Sequence, residues 1–206
     1  MSVRSGLILA GGLSSRMGRE KGLIELGGRP IVLRVVDRLS DLVDEIVVAT
    51  SPANDAAYRD VLPASVRTVA DRAPNQGPLG GWQSGLPALR GDFVAIAPCD
   101  APLYAPALGR LLLERARGHD GAVPFLAGRF EPLHGVYARE RLQGAVERCI
   151  AAGRMRPIHT YAHLDVVRVE EADIRGADLS LESFMSANTP EELEVLRTRV
   201  EAGRTS

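Results

Sequence analysis

The chain is short of several features that assign a protein quickly. Its 206 residues include two cysteines, Cys99 and Cys149, which follow no metal-ligand spacing and fit a reducing setting. The four histidines, His119, His134, His159 and His163, are equally scattered. No apolar run approaches the roughly 18 residues that a membrane span needs, and no secretory leader opens the chain, so a soluble, cytoplasmic protein without a membrane partner is expected. Neither sign of charge dominates: Lys+Arg 25 against Asp+Glu 26 leaves a formal net charge of −1. A global basic field for nucleic acid is therefore excluded, and any anion site must be local. There is no internal repeat, low-complexity segment or linker.

What is present is a hydrophobic content of 45%, enough for one substantial core over residues 1–201, with 202–206 as a frayed tail. Short apolar runs alternate with helix-like periods, which predicts an α/β protein: a three-layer α/β/α sandwich around a mostly parallel, Rossmann-like sheet. "VRSGLILA", "DEIVVAT", "SVRTVAD", "DFVAIAP" and "HLDVVRVEE" read as strands, and "GAVPFLAGRFEPLHGVYA" as two more joined by a turn. Helices are predicted from Pro30 as a first helical position, with Val32, Val35, Val36 and Leu39 at i, i+3, i+4, i+7. Further helices are predicted around Asp55 to Asp60, in "GPLGGWQSGLPALR" with a break at Pro87, in "LGRLLLERA" and in "RERLQGAVERCIAAG". The last helix, "NTPEELEVLRTRV", carries a capping box with Thr189 as N-cap, Pro190 at N1 and Glu192 at N3.

Three loops carry chemistry. "LILAGGLSSRMGREKG", residues 7–22, leaves the first strand at the edge where doubly wound sheets bind ligands. Glycines there let backbone N–H groups approach phosphate oxygens, Ser14 and Ser15 add hydroxyls, and Arg16 and Lys21 add positive charge. The loop is neither a Walker loop nor a dinucleotide fingerprint, since Lys21 follows Glu20 and the glycines have the wrong spacing. Alone, it is also compatible with a turn carrying solvated charges. "APCDAP", residues 97–102, places Asp100 past the strongest strand, where a carboxylate suits Mg²⁺; a helix N-cap or turn aspartate is the competing local reading. "ADRAPNQGPLGG" puts a second acid, Asp71, before another glycine turn.

With these motifs in order, together with "EPLHGVY" and "ANTPEEL", the chain resembles the molybdenum cofactor guanylyltransferases (MobA), within the Rossmann-like nucleotidyltransferase group. The likeness runs over nearly the whole chain, and "LAGG" with "PCDAP" is more similar to the guanylyl than the cytidylyl branch. The resemblance implies transfer of GMP from GTP to the terminal phosphate of molybdenum-loaded molybdopterin, with Mg²⁺, release of pyrophosphate and transient contact with proteins that deliver molybdopterin or mature molybdoenzymes. It implies that Leu9, Ala10, Gly11 and Gly12 cradle the nucleotide, that Lys21 and Asp71 contact it, and that Asp100 holds the metal. Arg16 suits the departing pyrophosphate as a planar multi-donor cation and Lys21 as a point charge. A phosphate monoester is already ionised near neutral pH, so no strong side-chain base is needed. Two related readings stay open: a nucleotidyltransferase using CTP or a different phosphorylated acceptor, and a non-catalytic nucleotide-binding module.

Two positions depart from the family pattern. Glu20 stands where Asp usually precedes the lysine, and Ser186 replaces the first asparagine of N-x-N-T-P, leaving Asn188 as the retained amide on the cofactor side. Among weaker candidates, His134 lies in a family motif, Glu131 is read either as lining the cofactor side or as a strand-end acid bound to backbone, Arg154 and Arg156 either as meeting the molybdopterin phosphate or as exposed arginines on a helix start, and Cys99 and Trp82 are expected to pack.

Overall fold

The computed structural model describes residues 4–11, 20–71, 76–186 and 188–202. Eight strands form one sheet: β1 (Arg4–Ala10), β2 (Glu45–Thr50), β3 (Arg67–Ala70), β4 (Phe93–Pro98), β5 (Gly121–Leu126), β6 (Arg129–Phe130), β7 (Val136–Ala138) and β8 (Val166–Glu170). The order begins β3-β2-β1-β4-β7-β5. β3, β2, β1 and β4 pair in parallel, as do β5 and β8, while β7 runs antiparallel to β4 and β5 and β6 antiparallel to β5. Gly121 pairs with both Tyr137 and Val166, and Phe125 with both Phe130 and Glu170. β6 and β7 therefore share one side of β5, and β8 takes the other.

Alternation along the strands builds the three layers. Ile8, Val48, Ala95 and Ala97 face α1 (Ile31–Ser40), α4 (Pro106–Arg115) and α6 (Glu171–Ala177), with Tyr58 of α2 (Asp55–Val61) in the same cluster. Their neighbours Leu7, Val47, Val94 and Ile96 face α3 (Pro78–Gly85) and α5 (Arg139–Ala151), where Trp82 is fully buried beside Tyr137 at a ring distance of 5.6 Å. Trp82 is thus a packing residue, as its apolar surroundings led us to expect.

The capping box is formed: Glu192 N donates to Thr189 Oγ1 and Thr189 N to Glu192 Oε2, each at 3.2 Å, at the start of α7 (Pro190–Ala202). α7 carries the helix through Ala202, one residue into the segment expected to fray; 203–206 lie outside the described residues. Its Leu196 and Val200 bury against Leu26 and Ile31, so the C-terminal helix is seated on the segment that follows the first loop.

Four expectations change. Pro30 caps α1 in an extended conformation, φ −52 and ψ 138, and the helix starts at Ile31. The stretch after β5 is not one returning strand but β6, a 3-10 turn at Pro132–His134 and β7, because Pro132 has no N–H to continue a ladder. The late strand ends at Glu170, and Glu171 opens α6, where Ile174 is the only fully buried residue and too little apolar period shows in the sequence. Residue 163 closes a 3-10 segment, Pro157–His163, so the late strand begins at Val166 and not at His163.

Because α7 is fixed through Leu196, Leu196→Ala should lower the unfolding free energy by about 2–5 kcal/mol, measured by urea titration. A change below about 1 kcal/mol would show that α7 is not part of the cooperative core.

Candidate active site

β1, β2, β3 and β4 end on the same edge of the sheet because they are parallel, and β1, β3 and β4 are each followed by one of the chemical loops. Cys99 N donates to Leu9 O at 3.0 Å, and Asp71 N to Thr50 O at 2.8 Å, so the main chain itself sets Asp100 beside the end of β1 and Asp71 beside the end of β2. Gly11 leaves β1 so close to β3 that a Cβ there would lie 2.7 Å from Asp71 Oδ2. A larger residue there would displace the Asp71 carboxylate.

Lys21 lies in a short 3-10 turn, Lys21–Leu23, that straps back over the strand ends. Its ammonium lies 3.2 Å from Asp100 Oδ2 and donates to Asn188 Oδ1 at 2.5 Å. Both ionic side chains are largely shielded, with 24% and 13% of their surface exposed, so this pair is screened less than a surface ion pair. It is the single lysine of the chain; the other 24 basic residues are arginines. Three segments far apart in sequence thus meet at one ammonium.

Asn188 is held from two sides. Its backbone N–H donates to Glu192 Oε2 at 2.7 Å, and its side-chain amide donates to Ser186 Oγ at 2.6 Å. Ser186, the departure from the usual asparagine, therefore takes the amide hydrogens and turns the Asn188 carbonyl toward Lys21. Its hydroxyl supplies an acceptor where a longer amide is usual.

A second pocket wall lies around Asp71. Gly80 and Gly81 of α3 stand next to it, and Gln76 lies beside Gly80. Ser51 Oγ, Asp71 Oδ1 and Gln76 Oε1 are buried with no hydrogen-bond partner among the described residues. Buried polar groups without partners are costly; Asp71 Oδ1 and Gln76 Oε1 call for a ligand that brings donors, while the Ser51 hydroxyl can donate or accept. Burial pushes the Asp71 carboxyl up to about 6 from its ordinary 3.8.

Of the residues named from the sequence, Leu9, Ala10, Gly11, Lys21, Asp71, Asp100 and Asn188 stand on this edge, the first three through their backbone at the end of β1. Gly12 and Arg16 lie outside the described residues. His134 is buried against Phe184 at a ring distance of 4.7 Å, and burial pulls it down to about 4, so it is neutral at physiological pH. Glu131 is half-buried, and burial raises its pKa. Arg154 and Arg156 are exposed, and Cys99 is buried. Gln76 stands within the quoted "ADRAPNQGPLGG" motif but was not singled out there, and Ser51, just past β2, belongs to no quoted motif. Among the described residues no three His, Cys, Asp or Glu side chains cluster as a metal cage, and no helix is long and apolar enough to cross a membrane.

Residues 6–167 match the MobA-like NTP transferase domain. A probable molybdenum cofactor guanylyltransferase of Natronomonas pharaonis is 37% identical over 97% of this chain and 100% of its own. The molybdenum cofactor guanylyltransferase of Desulfosudis oleivorans is 33% identical, and the match covers 100% of both chains. The crystal structure of molybdopterin-guanine dinucleotide biosynthesis protein A from Archaeoglobus fulgidus shares the fold with a TM-score of 0.81 at 23% identity, over 96% of this chain and 99% of that one.

The unpaired burial of Asp71 has a pH signature. Its contribution to stability is fully present below the unfolded value of 3.8 and is lost as pH rises through about 6. Asp71→Asn should therefore melt higher than the wild type at pH 8, with the gap closing toward pH 4, by thermal melting without ligand. A gap independent of pH would show that Asp71 is not a strained carboxylate.

Proposed function

Since the chain belongs to the MobA-like NTP transferase family, we propose that it is a molybdenum cofactor guanylyltransferase, joining GMP from GTP to the terminal phosphate of molybdenum-loaded molybdopterin. The observation that carries this reading is the meeting of Lys21, Asp100 and Asn188, one residue from each of three loops, at the end of β1. Relatives named for this activity match nearly the whole chain.

In the reaction an oxygen of the acceptor phosphate forms a bond to the α-phosphorus of GTP, and the bond from that phosphorus to the bridging oxygen breaks. The electron pair leaves with pyrophosphate. The attacking monoester is ionised near neutral pH, so the protein has to place charge rather than remove a proton. The neutral, buried His134 is consistent with that. The backbone of Leu9, Ala10, Gly11 and Gly12 follows the nucleotide, Lys21 meets the growing charge on the leaving phosphates, and Arg16 adds a second cation there. Lysine suits this place because its charge is compact, whereas a planar guanidinium needs more room.

Asp71 Oδ1 and Gln76 Oε1, buried acceptors without a partner among the described residues, support a base with two donors: guanine presents N1–H and an N2 amino group side by side, whereas cytosine presents one amino group followed by two acceptors.

Asp100 is the residue to hold Mg²⁺. One carboxylate fits this ion, which retains waters and substrate phosphate oxygens in its shell and does not require an all-protein cage. When bound it neutralises phosphate charge. Asn188 and Ser186 border the acceptor side. Delivery of molybdopterin and transfer of the product to a molybdoenzyme imply transient protein partners, and the reading puts the enzyme in the cytoplasm.

Pyrophosphate release should be fastest with GTP among the four triphosphates and should depend on molybdenum-loaded molybdopterin; preference for CTP overturns the guanylyl reading. Asp100→Asn should retain the fold by circular dichroism and lose nearly all Mg²⁺-dependent turnover, whereas turnover within a few-fold of wild type removes Asp100 as the ligand. Asn188→Ala should reduce turnover about 10- to 100-fold, the scale of a hydrogen bond to a charged group left unmade, with GTP binding hardly changed. Early melting with full activity per folded molecule would leave Asn188 a structural residue only.

A further inference from the structure

Tyr58 belongs to none of the three loops. It lies in α2 on the far side of the strap, is fully buried, and its hydroxyl donates to Glu20 Oε1 at 2.9 Å and lies 3.8 Å from Cys99 Sγ. Glu20 immediately precedes Lys21, and Cys99 immediately precedes Asp100. One phenol oxygen therefore touches the chain next to each member of the central ion pair.

The contact is reinforced. Asn54, one turn earlier at the start of α2, donates its side-chain amide to the other oxygen of Glu20 at 2.6 Å. On the other side of Lys21, Gly22 passes so close that a Cβ there would overlap the Tyr58 hydroxyl and lie 3.1 Å from Cys99 Cβ. Glu20 is partly buried, and burial raises its pKa while the hydrogen bonds from Tyr58 and Asn54 oppose the rise. A phenylalanine would fill the same apolar space, so packing alone does not account for the hydroxyl. What the hydroxyl adds is a fixed height of the strap above the β4 loop. Glutamate rather than aspartate at position 20 has the length to reach back to α2.

We infer that Tyr58 is a positioning residue for nucleotidyl transfer, setting the separation of the Lys21 ammonium and the Asp100 carboxylate through Glu20 and Cys99 while touching no substrate itself. This rests on the proposed roles of Lys21 and Asp100. Reacting groups displaced by about 1 Å lose up to about 100-fold in rate, so a small shift of the strap is enough to be measured.

The test compares wild type, Tyr58→Phe, Asn54→Ala, Glu20→Gln and the double variant Tyr58→Phe/Glu20→Gln. Pyrophosphate release is followed with Mg²⁺ and molybdenum-loaded molybdopterin, using whichever triphosphate the wild type consumes fastest. The base preference of the wild type tests the guanylyl reading, and the variants are judged against that same base, so the two failures are separate. Tyr58→Phe should melt cooperatively, change KM for the triphosphate less than about threefold and lower kcat about 10- to 100-fold. Glu20→Gln should fall similarly, and the double variant should be no worse than the poorer single, since both act through one contact. Asn54→Ala, at a partly exposed position, should move the same way by a smaller factor and decides the matter if Tyr58→Phe does not fold.

A second readout does not require turnover. Reductive ¹³C-methylation labels only Lys21 and the terminal amine, because the chain has one lysine. The Lys21 signal should move in Tyr58→Phe and Asn54→Ala relative to wild type. Both variants with kcat within twofold of wild type per folded molecule, losses that multiply in the double variant, or an unmoved Lys21 signal would each overturn the proposal.

Discussion

The Lys21 ammonium, lodged between the Asp100 carboxylate and the Asn188 carbonyl, is the interaction on which the rest of the site depends. It joins the segment after β1, the loop after β4 and the entry to α7, which are separated by 79 and 167 residues. The Lys21–Asp100 pair sits in a largely shielded place, so salt screens it less than a surface ion pair. Everything else in the edge is arranged to let these three segments converge.

Two kinds of constraint bring them there. The parallel pairing of β3, β2, β1 and β4 puts every following loop on one side of the sheet, as in other doubly wound proteins. Close backbone approaches then remove the space that side chains would occupy: Gly11 against Asp71, and Gly22 against Tyr58 and Cys99. On the C-terminal side, the capping box orders Asn188 before α7 begins, and Leu196 anchors that helix on Leu26 and Ile31. Helix capping, core packing and site geometry are consecutive steps of one construction here, since the same Glu192 carboxylate accepts from both Thr189 and Asn188.

Most of the layer architecture was legible in the chain because its strands alternate cleanly. Leu7 and Ile8, Val47 and Val48, and Ala95 and Ile96 send neighbouring side chains into opposite cores, and such period-2 pairs flanked by helical periods have few alternative readings. The part around Pro132 was less legible, because a proline can either continue an edge strand or interrupt it, and pairing with β5 and β4 decides between them. α6 was hidden because a single buried residue, Ile174, carries its packing. Within the site, Lys21, Asp71, Asp100 and Asn188 were found from motifs, whereas Tyr58, Asn54, Gln76 and Ser51 were not. Tyr58 and Asn54 act through Glu20, in another segment, which spacing along the chain does not reveal, whereas Gln76 lies inside a quoted motif and its buried acceptor shows only in the structure. Arg16 and Gly12 remain expectations from the sequence.

The chain uses arginine at every basic position except 21, where charge alone would be served by either residue. The most direct measurement of the account is therefore the steady-state kinetics of Lys21→Arg, with Mg²⁺, GTP and molybdenum-loaded molybdopterin. The compact ammonium fits between Asp100 and Asn188, and a guanidinium has to reach them with a different geometry. Turnover should fall by about 10- to 100-fold although the charge is kept, the scale of one misplaced charged hydrogen bond. Wild-type turnover in Lys21→Arg would contradict the claim that this one ammonium organises the site.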